Sequence, residues 1–301
     1  MTSPVGLCGL GNMGSAIARR LSPTYPLIAF DLDPDRTKTA GELAGVTAAG
    51  EAADLAGADT VLLSLPSPAA SARAAAAIAP AMRPGSLIVE TSTVNPGDMR
   101  RLADLCAPHD VRVIDAAILS GVAQMAEGRS TLLIGGESED VARAQPLLDA
   151  LAPRQLVLGG LGAGMAAKVI NNAVAHAVMI VLAEAGAMAA ATGVSQRRLA
   201  ELLADPEAGL TRPLTHRFVE RVLPGEYAGG MPTDAARKDS TLALALAQEA
   251  GIPLFAIQAC HTVYEIANGA GLGRQDYASV ATLWEQWTGR PITESSTDKD
   301  A

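Results

Sequence analysis

Short apolar runs alternate along the first half of the chain with stretches whose apolar residues recur every three to four positions. The runs Val5–Cys8, Leu27–Phe30, Thr60–Leu65, Leu87–Thr91, Val111–Asp115 and Thr131–Ile134 predict strands. Between them, Asn12–Leu21, Pro68–Ala79, Pro96–Cys106 and Glu139–Leu148 carry helical spacing. Such alternation predicts parallel βαβ units and a doubly wound α/β sheet. The pattern changes after Gly164. Met165–Thr192 reads as one long, alanine-rich apolar helix without proline. The rest reads as helices broken at Asp205-Pro206, Pro224-Gly225, Gly251-Ile252-Pro253 and Gly269–Gly273, and no strand alternation returns. The expected organisation is an α/β domain over 1–163, a long helix over 164–193, an all-α domain over 194–293 and a polar tail over 294–301.

The first strand runs straight into Gly9-Leu10-Gly11-Asn12-Met13-Gly14, and a helix follows with Met13, Ile17 and Leu21 on one face. In Gly-x-Gly-x-x-Gly the first glycine allows the tight turn. The second lets backbone approach a pyrophosphate, and the third lets helix and strand pack closely. The helix start offers unpaired N–H groups to phosphate. The first domain is therefore expected to be a Rossmann-type dinucleotide-binding domain. Its ligand should lie at the carboxyl ends of the strands, where Gly9, Asp31, Pro66, Thr93 and the loop after Asp115 fall. Asp31, about twenty residues past the first glycine, suits the two ribose hydroxyls and repels a 2′-phosphate, so NAD is favoured over NADP. Asp33, just before Pro34, fits a helix N-cap better.

Composition narrows the class. Hydrophobic residues make up 49% and aromatics 3%, so the core must be built of Ala, Leu, Val and Ile. A net charge of −9 with no basic stretch argues against a nucleic-acid surface. Cys8, Cys106 and Cys260 lie far apart, and neither they nor the four histidines show metal-ligand spacing. A reduced, cytoplasmic chain is expected, with no signal sequence and no unbroken span of about twenty apolar residues.

Lys168 is the sharpest single residue. It opens the long helix among apolar neighbours, and Asn172 shares its face at i, i+4. A partly desolvated lysine has a depressed pKa, which suits proton transfer. A snorkelling surface lysine is the plainer reading of the same spacing.

Four ordered motifs together resemble the β-hydroxyacid dehydrogenases. These include 3-hydroxyisobutyrate dehydrogenase, tartronate semialdehyde reductase and, more distantly, 6-phosphogluconate dehydrogenase. The motifs are Gly9–Gly14, Gly162-x-Gly164-x-x-x-Lys168-x-x-Asn171-Asn172, Lys238-Asp239 with Leu242-Ala243, and Gly271-Leu272-Gly273 with Asp276 and Ser279. The resemblance implies an NAD(P)-dependent enzyme acting on a small 3-hydroxyacid or related alcohol or semialdehyde. Lys168 would be its general acid or base, and Asn172 would hold the substrate. Gly9, Gly11, Asn12, Met13, Gly14, Leu65, Pro66 and Thr93 would line the cofactor, and Lys238 would reach the nicotinamide end. Homodimers or homotetramers through the helical domain are implied too.

One motif departs from the family. Where the family reads Asp-Ala-Pro-Val-Ser-Gly-Gly, this chain reads Asp115-Ala116-Ala117-Ile118-Leu119-Ser120-Gly121. Leu119 stands at the place of the serine that holds the substrate carboxylate, with Ser120 and Gly121 beside it. Leu119 and Met125 are expected to make the pocket more apolar, with Ser120 still offering a hydroxyl. Two other functions therefore stay open. One is a reductase of another C=O or C=N group on the same scaffold, against which Lys168 argues. The other is a non-catalytic cofactor-binding scaffold.

Overall fold

All four residues of Val5–Cys8 are buried, as expected of a strand covered on both faces, and this segment forms a central strand, β1, of an eight-stranded sheet. The computed structural model describes residues 3–294. It divides into two compact units, Met1–Ala173 and Val174–Ala301. The tail expected from 294 lies, from residue 295 onward, outside the described residues.

In the first unit β2 is Leu27–Phe30, β3 Val46–Ala48, β4 Thr60–Leu63, β5 Leu87–Glu90, β6 Arg112–Ile118, β7 Thr131–Gly135 and β8 Arg154–Val157. The sheet order is β3-β2-β1-β4-β5-β6-β7-β8. Its helices are α1 (Asn12–Leu21), α2 (Pro34–Gly41), α3 (Pro68–Ile78), α4 (Pro96–Cys106), α5 (Val122–Ala126) and α6 (Ser138–Leu151). On one face of the sheet Leu7, Leu62 and Ile114 pack with Ile17 and Leu21 of α1 and Leu148 of α6. On the other, Leu63, Ile88 and Val113 pack with Ile78 of α3 and Met99 and Leu102 of α4. Successive strand residues thus feed two separate cores.

Two strands escape the apolar pattern. β3 and β8 are the sheet's edges, and each is largely exposed, so neither needs a buried run. The sheet also departs from all-parallel pairing, because β6 and β7 are antiparallel, with Asp115 opposite Gly135 and Ile118 opposite Leu132. The link between them is short and holds only the five-residue α5, which suits a hairpin better than a parallel crossover.

Helix α7 spans Ala163–Thr192, and the division between units falls within it. An 18-residue window of α7 has a mean hydropathy of 1.8 and is 11% buried. By length and composition the helix could cross a membrane, a stronger apolar signal than the sequence reading expects. The second unit continues with α8 (Gln196–Ala204), a π-helical segment Pro213–Val222, α9 (Thr233–Glu249), α10 (Ala256–Gly269) and α11 (Ala281–Thr288).

Within this unit Glu184 caps α10 from a distance. Its Oε1 accepts from the N–H groups of Phe255 and Ala256 at 2.6 and 2.8 Å, and its Oε2 from Ile257 at 2.9 Å. Desolvation pushes the carboxyl pKa up, but the three N–H donors outweigh it and hold the pKa below the ordinary glutamate value. The stabilisation is therefore present above the unfolded pKa and is lost as pH falls through the lower folded value. Glu184→Ala should cost about 1–2 kcal/mol at neutral pH. In thermal melts the gap between variant and wild type should shrink on acidification; an unchanged melting temperature at pH 7 would refute the cap.

Candidate active site

The ends of β1, β2, β4, β5 and β6 open onto one cleft of about 850 Å³, lined entirely by the first unit. Gly9 closes β1 with φ +96°, and a Cβ there would overlap the carbonyl oxygen of Ser64. Gly14 lies against the Gly9 carbonyl, so α1 packs onto the loop as the glycine spacing requires. Gly11 is the N-cap of α1 and supplies no side-chain cap, whereas Asp33 caps α2 and Ser67 caps α3 through side-chain oxygens. The α1 terminus is left to an anion, and Gly11, Asn12 and Met13 all line the cleft there.

Asp31 lies just beyond β2, in the cleft. Its Oδ2 accepts from Leu10 N at 2.7 Å and its Oδ1 from Asp33 N at 2.9 Å, which ties it to the glycine loop. Leu65, Pro66 and Thr93 complete the wall at the ends of β4 and β5. These residues fit a dinucleotide: an uncapped helix start for the pyrophosphate and a fixed carboxylate about twenty residues on for the ribose.

The sequence reading misses two arginines in the cleft. Arg36 sits 3.3 Å from Asp33 Oδ2 and 3.9 Å from Asp31 Oδ2. Arg73 comes from α3, with Ala70, Ala74 and Ala77 on the same wall. The available signal was a lone cation in an alanine helix, on the face marked by Ala70, Ala74 and Ala77.

Lys168 and Asn172 reach this cleft from the first turns of α7. Desolvation lowers the Lys168 pKa from the ordinary value of 10.5. What fixes this end of the helix is Asp115 on β6, which has no exposed surface. Its Oδ1 accepts from Gly162 N at 2.6 Å and its Oδ2 from Met165 N at 2.8 Å. Burial raises the Asp115 pKa, and the N–H donors oppose that rise. Gly164 lies so close to the Leu133 carbonyl that a Cβ would overlap it. The start of α7 is thereby fastened to β6 and β7.

The substrate loop differs from expectation. Ser120 lines the cleft together with Ile118, but Leu119 and Gly121 do not. Leu119 N donates to Thr131 O at 2.8 Å, continuing the β6–β7 ladder, so residues 118, 119 and 120 alternate in direction. Leu119 consequently packs into the core on the α3–α4 side. Met125 is fully buried in the other core and leaves the cleft no more apolar. Gly121 is the N-cap of α5.

Ser120 Oγ and Ser130 Oγ are 2.6 Å apart. Ser130 is 1% exposed, and this is the one hydrogen bond its hydroxyl makes among the described residues. Either hydroxyl can donate in this pair; with Ser130, the more deeply buried, as donor, its proton is satisfied and Ser120 accepts. The Ser120 proton is then left to point into the cleft. Lys238 belongs to the second unit, where its Nζ pairs with Asp239 Oδ1 at 2.8 Å and its side chain is 66% exposed.

The comparisons with known proteins agree on the class: this is an NAD-binding oxidoreductase. Residues 4–160 match the NAD-binding domain of 6-phosphogluconate dehydrogenase, and residues 162–284 match the NAD-binding region of NADP-dependent 3-hydroxyisobutyrate dehydrogenase. The chain is 32% identical to rat mitochondrial 3-hydroxyisobutyrate dehydrogenase, covering 92% of this chain and 86% of that one. It belongs to the 3-hydroxyisobutyrate dehydrogenase family. Among solved structures it resembles the Mycobacterium tuberculosis 3-hydroxyisobutyrate dehydrogenase with L-serine, at 26% identity and a TM-score of 0.65, covering 94% of this chain and 99% of that one. An imine reductase from Pseudomonas shares the fold at 23% identity and a TM-score of 0.83, covering 94% and 100%. The expectation of a cytoplasmic location does not stand. The rat relative and its mouse and human counterparts are mitochondrial enzymes, and a reduced-cysteine composition does not distinguish such compartments.

Proposed function

We propose that this protein interconverts a small 3-hydroxyacid, or a related alcohol, and its carbonyl form, with Lys168 handling the proton. The observation that carries this reading is a half-buried amine of lowered pKa in the same cleft as the glycine loop. NAD, when bound, supplies or accepts the hydride. In reduction, the Lys168 ammonium gives a proton to the oxygen that becomes the hydroxyl. In oxidation, its neutral amine takes that proton. Asn172, one turn further along α7, orients the same oxygen. Ser120 donates to a second oxygen of the substrate.

Ser130→Ala follows from this arrangement. It should raise KM for a hydroxyacid about fivefold and change kcat little, since the Ser120 proton is no longer directed outward. Steady-state kinetics that find KM unchanged would remove Ser130 from the site.

Reduction of a C=N bond is a second reading, and fold likeness favours it: the imine reductase has the higher TM-score. Ile118 also gives the cleft an apolar wall beside Ser120. A panel of 3-hydroxyisobutyrate with NAD and a cyclic imine with NADH separates the two. Turnover of the imine alone would reverse the assignment, and turnover of neither would leave a binding scaffold.

The domains are assigned as cofactor binding over 1–163, a connecting helix over 164–193 and an oligomerisation and substrate domain over 194–293. The exposed apolar residues Ile170, Val174, Met179 and Ile180 of α7 are assigned to contact with a second copy of the chain. Lys168 and Asn172 on the same helix bring a cation and an amide into the cofactor cleft, which weighs against a membrane-spanning role for it.

A further inference from the structure

Glu90 is a buried acid that the mechanism leaves unused. It ends β5 and has no exposed surface. Its Oε1 accepts from Ser92 N at 2.8 Å, and Ser92 Oγ accepts from Leu65 N at 2.7 Å. Ser92 and Leu65 line the cofactor cleft from the ends of two neighbouring strands. The other carboxyl oxygen, Oε2, is buried without a satisfied partner, and so is the hydroxyl of Ser71 on α3. The two residues line one small pocket together with residues of α4. Helix α3 brings Ala70, Arg73 and Ala74 to the same cleft. One side chain therefore stands among three pieces of the cofactor wall.

Protonation decides whether that position is stable. A carboxylate buried this deeply is stable only with a cation or enough donors, and around Glu90 the donors are the Ser71 and Ser92 hydroxyls and the Thr91 and Ser92 N–H groups, over which burial still prevails. The groups around it supply no cation. Cys8 of β1 is a buried thiol whose pKa is raised chiefly by desolvation, with the Asp31 carboxylate adding to it. Asp115 of β6 stands opposite Glu90 in register and is occupied by the start of α7. On α4, Arg101 is paired with Asp98, and Asp104 adds a further negative charge. A protonated Glu90 needs no cation, and its Oε2–H can donate to Ser71 Oγ while Oε1 keeps the Ser92 N–H. Burial raises its pKa in the same direction.

We propose that Glu90 is a positioning residue of the cofactor cleft, a neutral carboxylic acid that ties α3 to the Ser92–Leu65 loop pair. It touches neither cofactor nor substrate and acts by holding the wall residues in place.

The test compares Glu90→Gln, Glu90→Ala and Ser71→Ala. The glutamine amide reproduces both bonds, with Nε2 donating to Ser71 and Oε1 accepting from Ser92. The NADH dissociation constant, read by fluorescence titration, should stay within about twofold of wild type in Glu90→Gln. In Glu90→Ala, and in Ser71→Ala if the alanine variant does not fold, it should rise about tenfold, with a smaller fall in kcat at saturating NADH. Infrared difference spectra of the cofactor-free protein at pH 8 should show a protonated-carboxyl band in wild type that Glu90→Gln lacks. The proposal is overturned if Glu90→Gln weakens NADH as much as the truncating variants do. It is equally overturned if the truncations lower only the melting temperature, or if no such band is lost.

Discussion

Lys168→Ala lowers kcat/KM by about 10²–10⁴-fold, the usual worth of a positioned proton donor, and leaves the NAD dissociation constant within about twofold. The separation is expected because Lys168 stands on α7, while the features that fit a dinucleotide are the glycine loop and Asp31. Its lowered pKa fixes the sign of the pH dependence. Oxidation needs the neutral amine, so its rate should rise with pH to a plateau with a midpoint below 10.5. Reduction needs the ammonium and should fall over the same range. Both limbs should vanish in Lys168→Ala. A variant that kept near wild-type rates, or the same pH limbs, would take the proton-transfer role away from Lys168 and strengthen the C=N reading.

Asp115→Asn is the second large effect expected, though Asp115 does not line the cleft. Its two oxygens hold the N–H groups of Gly162 and Met165. An asparagine keeps one acceptor and turns an N–H₂ toward the other donor, so the first turn of α7 loses its fastening. Breaking a buried, charge-assisted pair of bonds costs about 3 kcal/mol. A shift of about 1 Å at Lys168 is enough for a loss of about 10²-fold in kcat. A lower melting temperature and a lower kcat should therefore appear together, with KM for NAD little changed. If stability fell and kcat did not, Asp115 would hold the fold without setting Lys168.

The glycine loop was legible in the sequence because its three glycines record backbone constraints directly. Gly9 has the positive φ, and Gly14 makes the close approach that their spacing announces. The helix bearing Lys168 was legible for a similar reason: an apolar run with one cation and one amide at i, i+4 leaves few readings. The loop after Asp115 was not. Whether Leu119 or Ser120 faces the cleft depends on antiparallel pairing with β7, a partner several residues downstream that no local pattern names. The same pairing brings Ser130 beside Ser120. Glu90 and Ser71 escaped for another reason. One buried acid inside Leu87–Glu90 looks like a strand ending, and its meaning appears only when α3 packs over it.

The fastening of α7 has a consequence for how the work is divided. Lys168 and Asn172 precede the Ala173–Val174 division, and Asp115 locks their helix turn to the sheet that bears the glycine loop. The residues proposed for proton transfer and the cofactor cradle are thus parts of one compact unit. A change in packing confined to residues after 173 would therefore leave Lys168, Asn172 and the glycine loop in one shared frame.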